Sequence, residues 1–457
     1  MSRSAPSVVT DITVWSGGHW LPHRDVHLAG GFVTGLAEHN PGGSGASPDR
    51  MLDGRGGHLL PGFVNTHTHL QQSVMRGIGE GRPLLEWLRA VGGEMVSLTP
   101  ERAYLAALAG ALDGLRSGTT TLVEHGWPHP SPQVHEAVLR ALQDTGVRAV
   151  LGRGVADRPD VTRRWGFDPR LMEPLEETLA QVDDLWRSAA GLVTVALAVP
   201  NPRSLTPAGL EAVAGFAADR DLTVSIHLLE TTTDEQMCRA HTRRGAVELL
   251  DEAGFLSPRV LAVHCVELDE RGRAVLAERG CGVSYNPVSN MRLGSGVAPV
   301  PELLELGVPV GLGVDGAASN DTQDMIETLR AGSYLQRAHR RRADVLDATT
   351  MLRMATTGAN RVLGLPERTT GVAVGDPADL TLLRFDRDLG CLPVRDPGAT
   401  LLTTGSRQVV DTVFVAGEVV LVDGHSTRID ERALLEALSG LTVPAGRPVP
   451  GSTAPPN

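Results

Sequence analysis

Between residues 62 and 315 the chain repeats one pattern eight times: a short apolar run, most often followed by an amphipathic helical segment. The runs are GFVNTHTH (62–69), TTTLVEH (119–125), RAVLGRGV (148–155), LVTVALAVP (192–200), TVSIHLLE (223–230), VLAVHCV (260–266), GCGVSYNP (280–287) and PVGLGVD (309–315). Segments such as ERAYLAALAGALDGLRSG and PAGLEAVAGFAADRD lie between them. Short apolar runs alternating with helices point to buried parallel strands, and eight of them predict a closed (β/α)8 barrel. Periodicity alone leaves a doubly wound open sheet as the alternative. Both ends of the chain read differently. From Val8 to about Arg55, and again in GDPADLTLLRFD and VVDTVFVAGEVVLVDG, apolar and polar residues alternate between Gly-rich turns, the pattern of antiparallel strands.

Composition excludes whole classes of chemistry. The net charge of −12 and an aromatic content of 4% argue against a nucleic-acid partner, which needs a basic face and stacking platforms. All 42 basic residues are arginine. Without lysine there is no Schiff base, no pyridoxal phosphate attachment, no Walker P-loop and no carboxylated lysine to bridge two metals. Cys238, Cys265, Cys281 and Cys391 are too widely spaced for a zinc knuckle or a redox CxxC pair. They are expected to be buried thiols in a reducing cytoplasm. No leader-like opening and no long uncharged apolar run is found, so neither secretion nor a membrane is expected. The basic stretch 337–342 reads as a solvated helix face.

Polar residues collect at the C-terminal ends of the expected strands, where active sites of such barrels form. His67 and His69, two apart on a strand, point to the same face and can reach one ion. His227 ends the fifth run with Glu230 three residues on, His264 ends the sixth, and Asp315 ends the eighth. Singly, each has a bland explanation: an HxH can flank a turn, a lone histidine can be structural, and Asp315 before Gly316 can cap a helix. Together, imidazoles and a carboxylate at the ends of strands one, five, six and eight suit Zn²⁺ or Fe²⁺ with a position left for water.

The blocks PGFVNTHTHLQQSVMRG, HLLET, AVHCVEL, NPVSNMRLGSGVAPVPELLELGVPVGLGVDGAASND and GDPADL resemble the amidohydrolase superfamily. They are most similar to its branch of methylthioadenosine/S-adenosylhomocysteine deaminases, 8-oxoguanine deaminases and triazine hydrolases. The resemblance implies one divalent ion held by His67, His69, His227 and Asp315, with Glu230 and His264 beside the reacting atom. It implies an α/β fold, a (β/α)8 barrel with a small β-sandwich domain built from both chain ends, and a homodimer or homotetramer. The expected division is sandwich 1–57, barrel 58–364, sandwich 365–430, then a C-terminal helix and a disordered tail over 431–457. Gln71, Trp87, His125, Arg153 and Asn290 are candidate substrate contacts. His125 and His129 have no matching role in the family, and Gln71 and Gln72 stand where relatives vary.

The expected activity is deamination of an aminated nitrogen heterocycle of purine, pterin or triazine type by metal-activated hydroxide. Asp315 would accept the water proton, Glu230 would protonate the ring nitrogen, and His264 would polarise the developing oxygen. Loss of halide, as in a chlorohydrolase, is the alternative reaction. A non-enzymatic barrel scaffold is the alternative of another class, disfavoured because the ligand set is complete. The two-metal branch is disfavoured because LVTVALAVP carries no bridging side chain.

Overall fold

The structure, a computed structural model, describes residues 6–41, 50–364 and 370–441. The expected tail beyond 441 lies outside the described residues.

Eight parallel strands close into a barrel. They are Phe63–Thr68, Thr119–His125, Arg148–Gly154, Val193–Val199, Val224–Leu228, Val260–His264, Gly282–Tyr285 and Val310–Leu312. Each falls inside one of the eight apolar runs, and the open-sheet alternative is excluded because the last strand pairs with the first, Leu312 opposite Asn65. Helices pack outside. Several begin at a side-chain cap that accepts an otherwise unpaired backbone N–H: Thr99 from Arg102, Thr206 from Gly209, Asp269 from Gly272 and Asp324 from Ile326.

The two chain ends meet in one nine-stranded sheet. His58–Pro61 lies at its middle, parallel to Val8–Ser16 on one side and antiparallel to Leu380–Leu383 on the other. The boundary expected at residue 58 therefore falls too early for this strand, which hydrogen bonds in the sheet. The reason is local: HLLPGFVNTHTH is apolar almost throughout, so periodicity does not mark where pairing changes. Only Gly62 separates sheet strand from barrel strand, and a Cβ there would lie 2.0 Å from Thr120 Cγ2. The Arg148 guanidinium grips the Asp379 carboxylate at 2.7 and 3.1 Å, tying the third barrel strand to the sheet.

Glu124, on the second barrel strand, accepts the Leu70 N–H at 2.7 Å and so holds the short helix Leu70–Val74 that follows the HxH segment. Its other oxygen is buried without a partner. Burial pushes this carboxyl up to about 8, with the Leu70 hydrogen bond opposing. No helix among the described residues is long and apolar enough to cross a membrane, and all four cysteines are free and buried.

Two outcomes follow from this packing. Ile12, fully buried at the centre of the sheet, should cost about 2–5 kcal/mol when cut to alanine; a denaturation midpoint equal to wild type would show that the N-terminal strand does not complete this core. Glu124 is protonated when folded and ionised when unfolded between about pH 4.5 and 8. Its contribution is present below the unfolded pKa and is lost as pH rises through the folded one. Glu124→Gln should therefore flatten the fall in stability from pH 5 to 8, read by chemical denaturation; parallel profiles would count against a buried neutral acid.

Candidate metal centre

His67, His69, His227 and Asp315 converge at the C-terminal mouth of the barrel, and each comes from a strand end. Pleating puts His67 and His69 on one side of the first strand, their ring centroids 4.7 Å apart. Their Nε2 atoms lie 3.3 and 3.4 Å from Asp315 Oδ1. His69 Nε2 and His227 Nε2 stand 3.3 Å apart.

Hydrogen bonds behind the rings set the tautomers. His69 Nδ1–H donates to the His125 carbonyl at 2.6 Å, and His227 Nδ1–H donates to the Pro200 carbonyl at 2.8 Å. Both Nε2 atoms are then bare lone pairs facing each other, an arrangement that repels unless a cation lies among them. Neither ring nitrogen of fully buried His67 makes a hydrogen bond. Burial pushes the His67 ring down to about 4, so it too is neutral and can offer a lone pair. Asp315 Oδ2 accepts from the Ser289 hydroxyl at 2.6 Å and Oδ1 from the Gly316 N–H at 2.7 Å. Burial opposes its ionisation, but the nearby histidines, His67 first at 3.3 Å, outweigh it and hold the carboxyl well below its usual range. Three neutral imidazoles and one carboxylate, with nitrogens left unpaired, fit a divalent ion.

His264 is tuned the other way. Its Nδ1 accepts from the Asn290 amide at 3.0 Å, which leaves Nε2–H as a donor 3.6 Å from Glu230 Oε2 and 4.0 Å from Asp315 Oδ2. Glu230 Oε1 accepts from Ser295 at 3.2 Å. Burial first, then the charges of Asp315 and Asp234, push the Glu230 carboxyl well above its usual range, which favours its protonated form.

The remaining candidates divide. Trp87 lines the cavity, its Nε1–H bonded to the Ala318 carbonyl at 2.9 Å. His125 enters the cluster, 4.4 Å from the His227 ring, with Nδ1 on Ser225 and Nε2 free. His67, His125 and His227 thus form a second potential donor set beside His67, His69 and Asp315. His129 turns away, its Nδ1 accepting from the Ser131 N–H at 3.1 Å. Gln71 also turns away, accepting from the Trp127 N–H, while Gln72 faces the cavity with both amide atoms unpaired. Arg153 does not line the cavity: it is buried beside Glu173, donating also to Gln181 at 2.8 Å and the His129 carbonyl at 3.1 Å. Asn290 is spent on His264. Ser289, Trp127 and Arg163 went unnoticed as site residues in the sequence. The NPVSN block held a signal for the first; the others depend on loop geometry.

The cavity, open on one side, is walled by Trp87, Trp127, Trp165 and Phe167 with the histidine cluster at its base.

The amidohydrolase family model matches residues 58–420. The 5-methylthioadenosine/S-adenosylhomocysteine deaminase of Desulforudis audaxviator (strain MP104C) is 36% identical over 400 residues, 86% of this chain and 89% of that protein. The 5'-deoxyadenosine deaminase of Methanothermobacter thermautotrophicus is 35% identical over 390 residues, 85% and 87% of the two chains. Among solved structures, a zinc-bound adenosine deaminase from Xanthomonas campestris superposes with a TM-score of 0.87 at 26% identity, over 95% of this chain and 97% of that one. The zinc complex of atrazine chlorohydrolase from Arthrobacter aurescens TC1 gives 0.86 at 25% identity, over 95% and 99%.

Elemental analysis of the purified protein should find one divalent ion per chain, and His67→Ala should lose it. Two tightly held ions per chain would show that both donor sets fill together.

Proposed function

Because the chain belongs to the amidohydrolase family, we propose that it is a metal-dependent aminohydrolase that removes an exocyclic amino group from a nitrogen heterocycle. The observation that carries this reading is geometric: the Glu230 carboxyl and the Nε2–H of His264 stand 3.6 Å apart beside the cluster of His67, His69, His227 and Asp315.

His67, His69, His227 and Asp315 would hold the ion. Zinc is proposed, as in the two solved relatives, although Fe²⁺ accepts the same donors. When bound, such an ion supplies Lewis acidity that makes water a nucleophile near neutral pH. Asp315 would be the group placed to accept a proton given up by such a water. A flat ring enters between the aromatic walls, and the unpaired amide of Gln72 offers it one donor and one acceptor. Glu230 gives its proton to the ring nitrogen beside the carbon under attack, which turns that carbon into a better electrophile. His264 donates to the oxygen as charge gathers there. The amino group would leave as ammonia after receiving the proton held by Asp315, and the hydroxyl proton would return to Glu230 as the carbonyl forms. Ring protonation by Glu230 would assist loss of a halide as well, so the preference for deamination rests on the likeness to deaminases over most of the chain.

Trp87 is proposed as part of the cavity wall, and His125 as a neighbour of the reacting centre. Asn290 acts through His264, by fixing its tautomer. Arg153 is proposed to brace the strand-three loop through Glu173.

Glu230→Gln keeps the shape and the ion and removes the proton. Turnover should drop by roughly 10²-fold or more, the scale of general acid catalysis, while the melting temperature stays within a few degrees. Ammonia release from a panel of aminated purines, pterins and triazines, normalised to folded protein, measures both. Full turnover by the variant would remove the proton-donor assignment, and halide or alkylamine as the only product would move the activity to dehalogenation or dealkylation.

A further inference from the structure

Gln323 lies just before the helix Met325–Arg340, is 1% exposed and does not line the cavity. Its side-chain amide bridges the two segments that carry three of the four proposed metal donors. Nε2–H donates to the Asp315 carbonyl at 3.1 Å, and Oε1 accepts from the Thr68 hydroxyl at 2.7 Å. A carbonyl only accepts, so the orientation of the amide is fixed by its partners. Thr68 stands between His67 and His69. The backbone N–H of Gln323 in turn donates to Asp113 Oδ2 at 3.1 Å, and Arg407 Nη1 donates to Asp113 Oδ1 at 2.7 Å. The bridge is thus anchored on the helix Pro100–Leu115 and on the segment that leads into the sheet strand Val410–Val415.

Asp315 has φ +67. That left-handed conformation is disfavoured for a residue with a Cβ and persists where the surroundings fix the backbone on both sides. The Asp315 N–H is fixed by the His67 carbonyl at 2.9 Å. Its carbonyl has two groups within reach, the Gln323 amide and the Thr68 hydroxyl, each at 3.1 Å. The hydroxyl has a single proton, and its shorter contact is to Gln323 Oε1. Gln323 is then the side chain that gives the Asp315 carbonyl its donor. Rotation of this peptide would swing the Asp315 carboxylate away from the Nε2 atoms of His67 and His69, now 3.3 and 3.4 Å from it.

We propose that Gln323 is a positioning residue of the metal centre: it sets the direction in which Asp315 presents its carboxylate and locks that direction to the His67–His69 segment. It touches neither the ion nor the cavity and acts through Asp315 and Thr68. The proposal rests on the metal centre described above, but not on which group leaves the substrate.

The test reads the ion, so it does not depend on turnover. Zinc affinity is measured by competition with a chromophoric chelator, and ligand geometry by the visible absorption of the Co²⁺-loaded protein. Q323M keeps the length of the side chain and removes both hydrogen bonds. It should hold zinc tenfold or more weakly, the scale found when a group that orients a metal ligand is lost, and its Co²⁺ bands should shift. The control is Gln336, equally buried and bonded to the Ala298 carbonyl at 2.7 Å. Q336M should lower the melting temperature yet keep the wild-type affinity and spectrum. T68V added to Q323M should weaken binding by less than a further twofold, because the two side chains act together. If Q323M does not fold, Q323E gives the same reading, since it keeps an acceptor for Thr68 and loses the donor to Asp315. Wild-type affinity and spectrum in the Gln323 variant, or an equal loss in Q336M, would overturn the proposal alone. A wild-type protein that binds no zinc would overturn the metal centre, and the proposal with it.

Discussion

The seam that closes the barrel is also the floor of the site. Strand eight meets strand one through few contacts: Leu312 lies opposite Asn65, and the Asp315 N–H donates to the His67 carbonyl at 2.9 Å. The Asn65 side chain reinforces the join by accepting the Val314 N–H at 3.1 Å, and the Thr68 hydroxyl reaches the Asp315 carbonyl at 3.1 Å. Asp315 sits there at φ +67, a left-handed conformation uncommon for a residue with a Cβ. That turn brings its carboxylate back over the strand-one histidines. Barrel closure and the approach of Asp315 to His67 and His69 are therefore one structural event, and a barrel left open would have no complete donor set.

Around that seam, identical side chains are sorted into different roles by what stands behind them. Backbone carbonyls behind His69 and His227 turn a lone pair inward, whereas an amide donor behind His264 turns an N–H inward. This sorting was not legible in the sequence, where all are strand-end histidines. Their positions were legible, because alternation along a strand decides which side chains face the barrel mouth and barrel strands end where loops begin. The rule failed one residue past the strand. After His69 the chain enters a short 3-10 helix, alternation stops, and Gln72 rather than Gln71 faces the cavity.

The fold was legible to the extent that apolar runs differ from their surroundings. Eight strands separated by helices stand out for that reason, and so do the antiparallel strands at each end. His58–Pro61 is the exception: nothing in its composition distinguishes sheet from barrel, and the change of partner at Gly62 is dictated by the nearby Thr120 side chain, far away in sequence. Arg153 failed for a related reason. Its partner Glu173 lies 20 residues on, in the loop after strand three, and only the folded loop shows that the charge is already matched.

The two candidate donor sets are not independent, because they share a residue. The set of His67, His125 and His227 and the set of His67, His69 and Asp315 both depend on His67. A second ion would have His125 alone as a donor of its own once His227 serves the first. Two close cations need bridging anionic oxygens to screen their repulsion, and no lysine exists to be carboxylated. Strand four, Val193–Val199, carries no carboxylate, and the Pro200 carbonyl just beyond it is already used to orient His227. Asp315 is the only carboxylate in either set, and both of its oxygens already accept hydrogen bonds from Ser289 and Gly316. The negative charge in the two sets is thus limited to that one group, while burial disfavours a charge on Glu230 beside it.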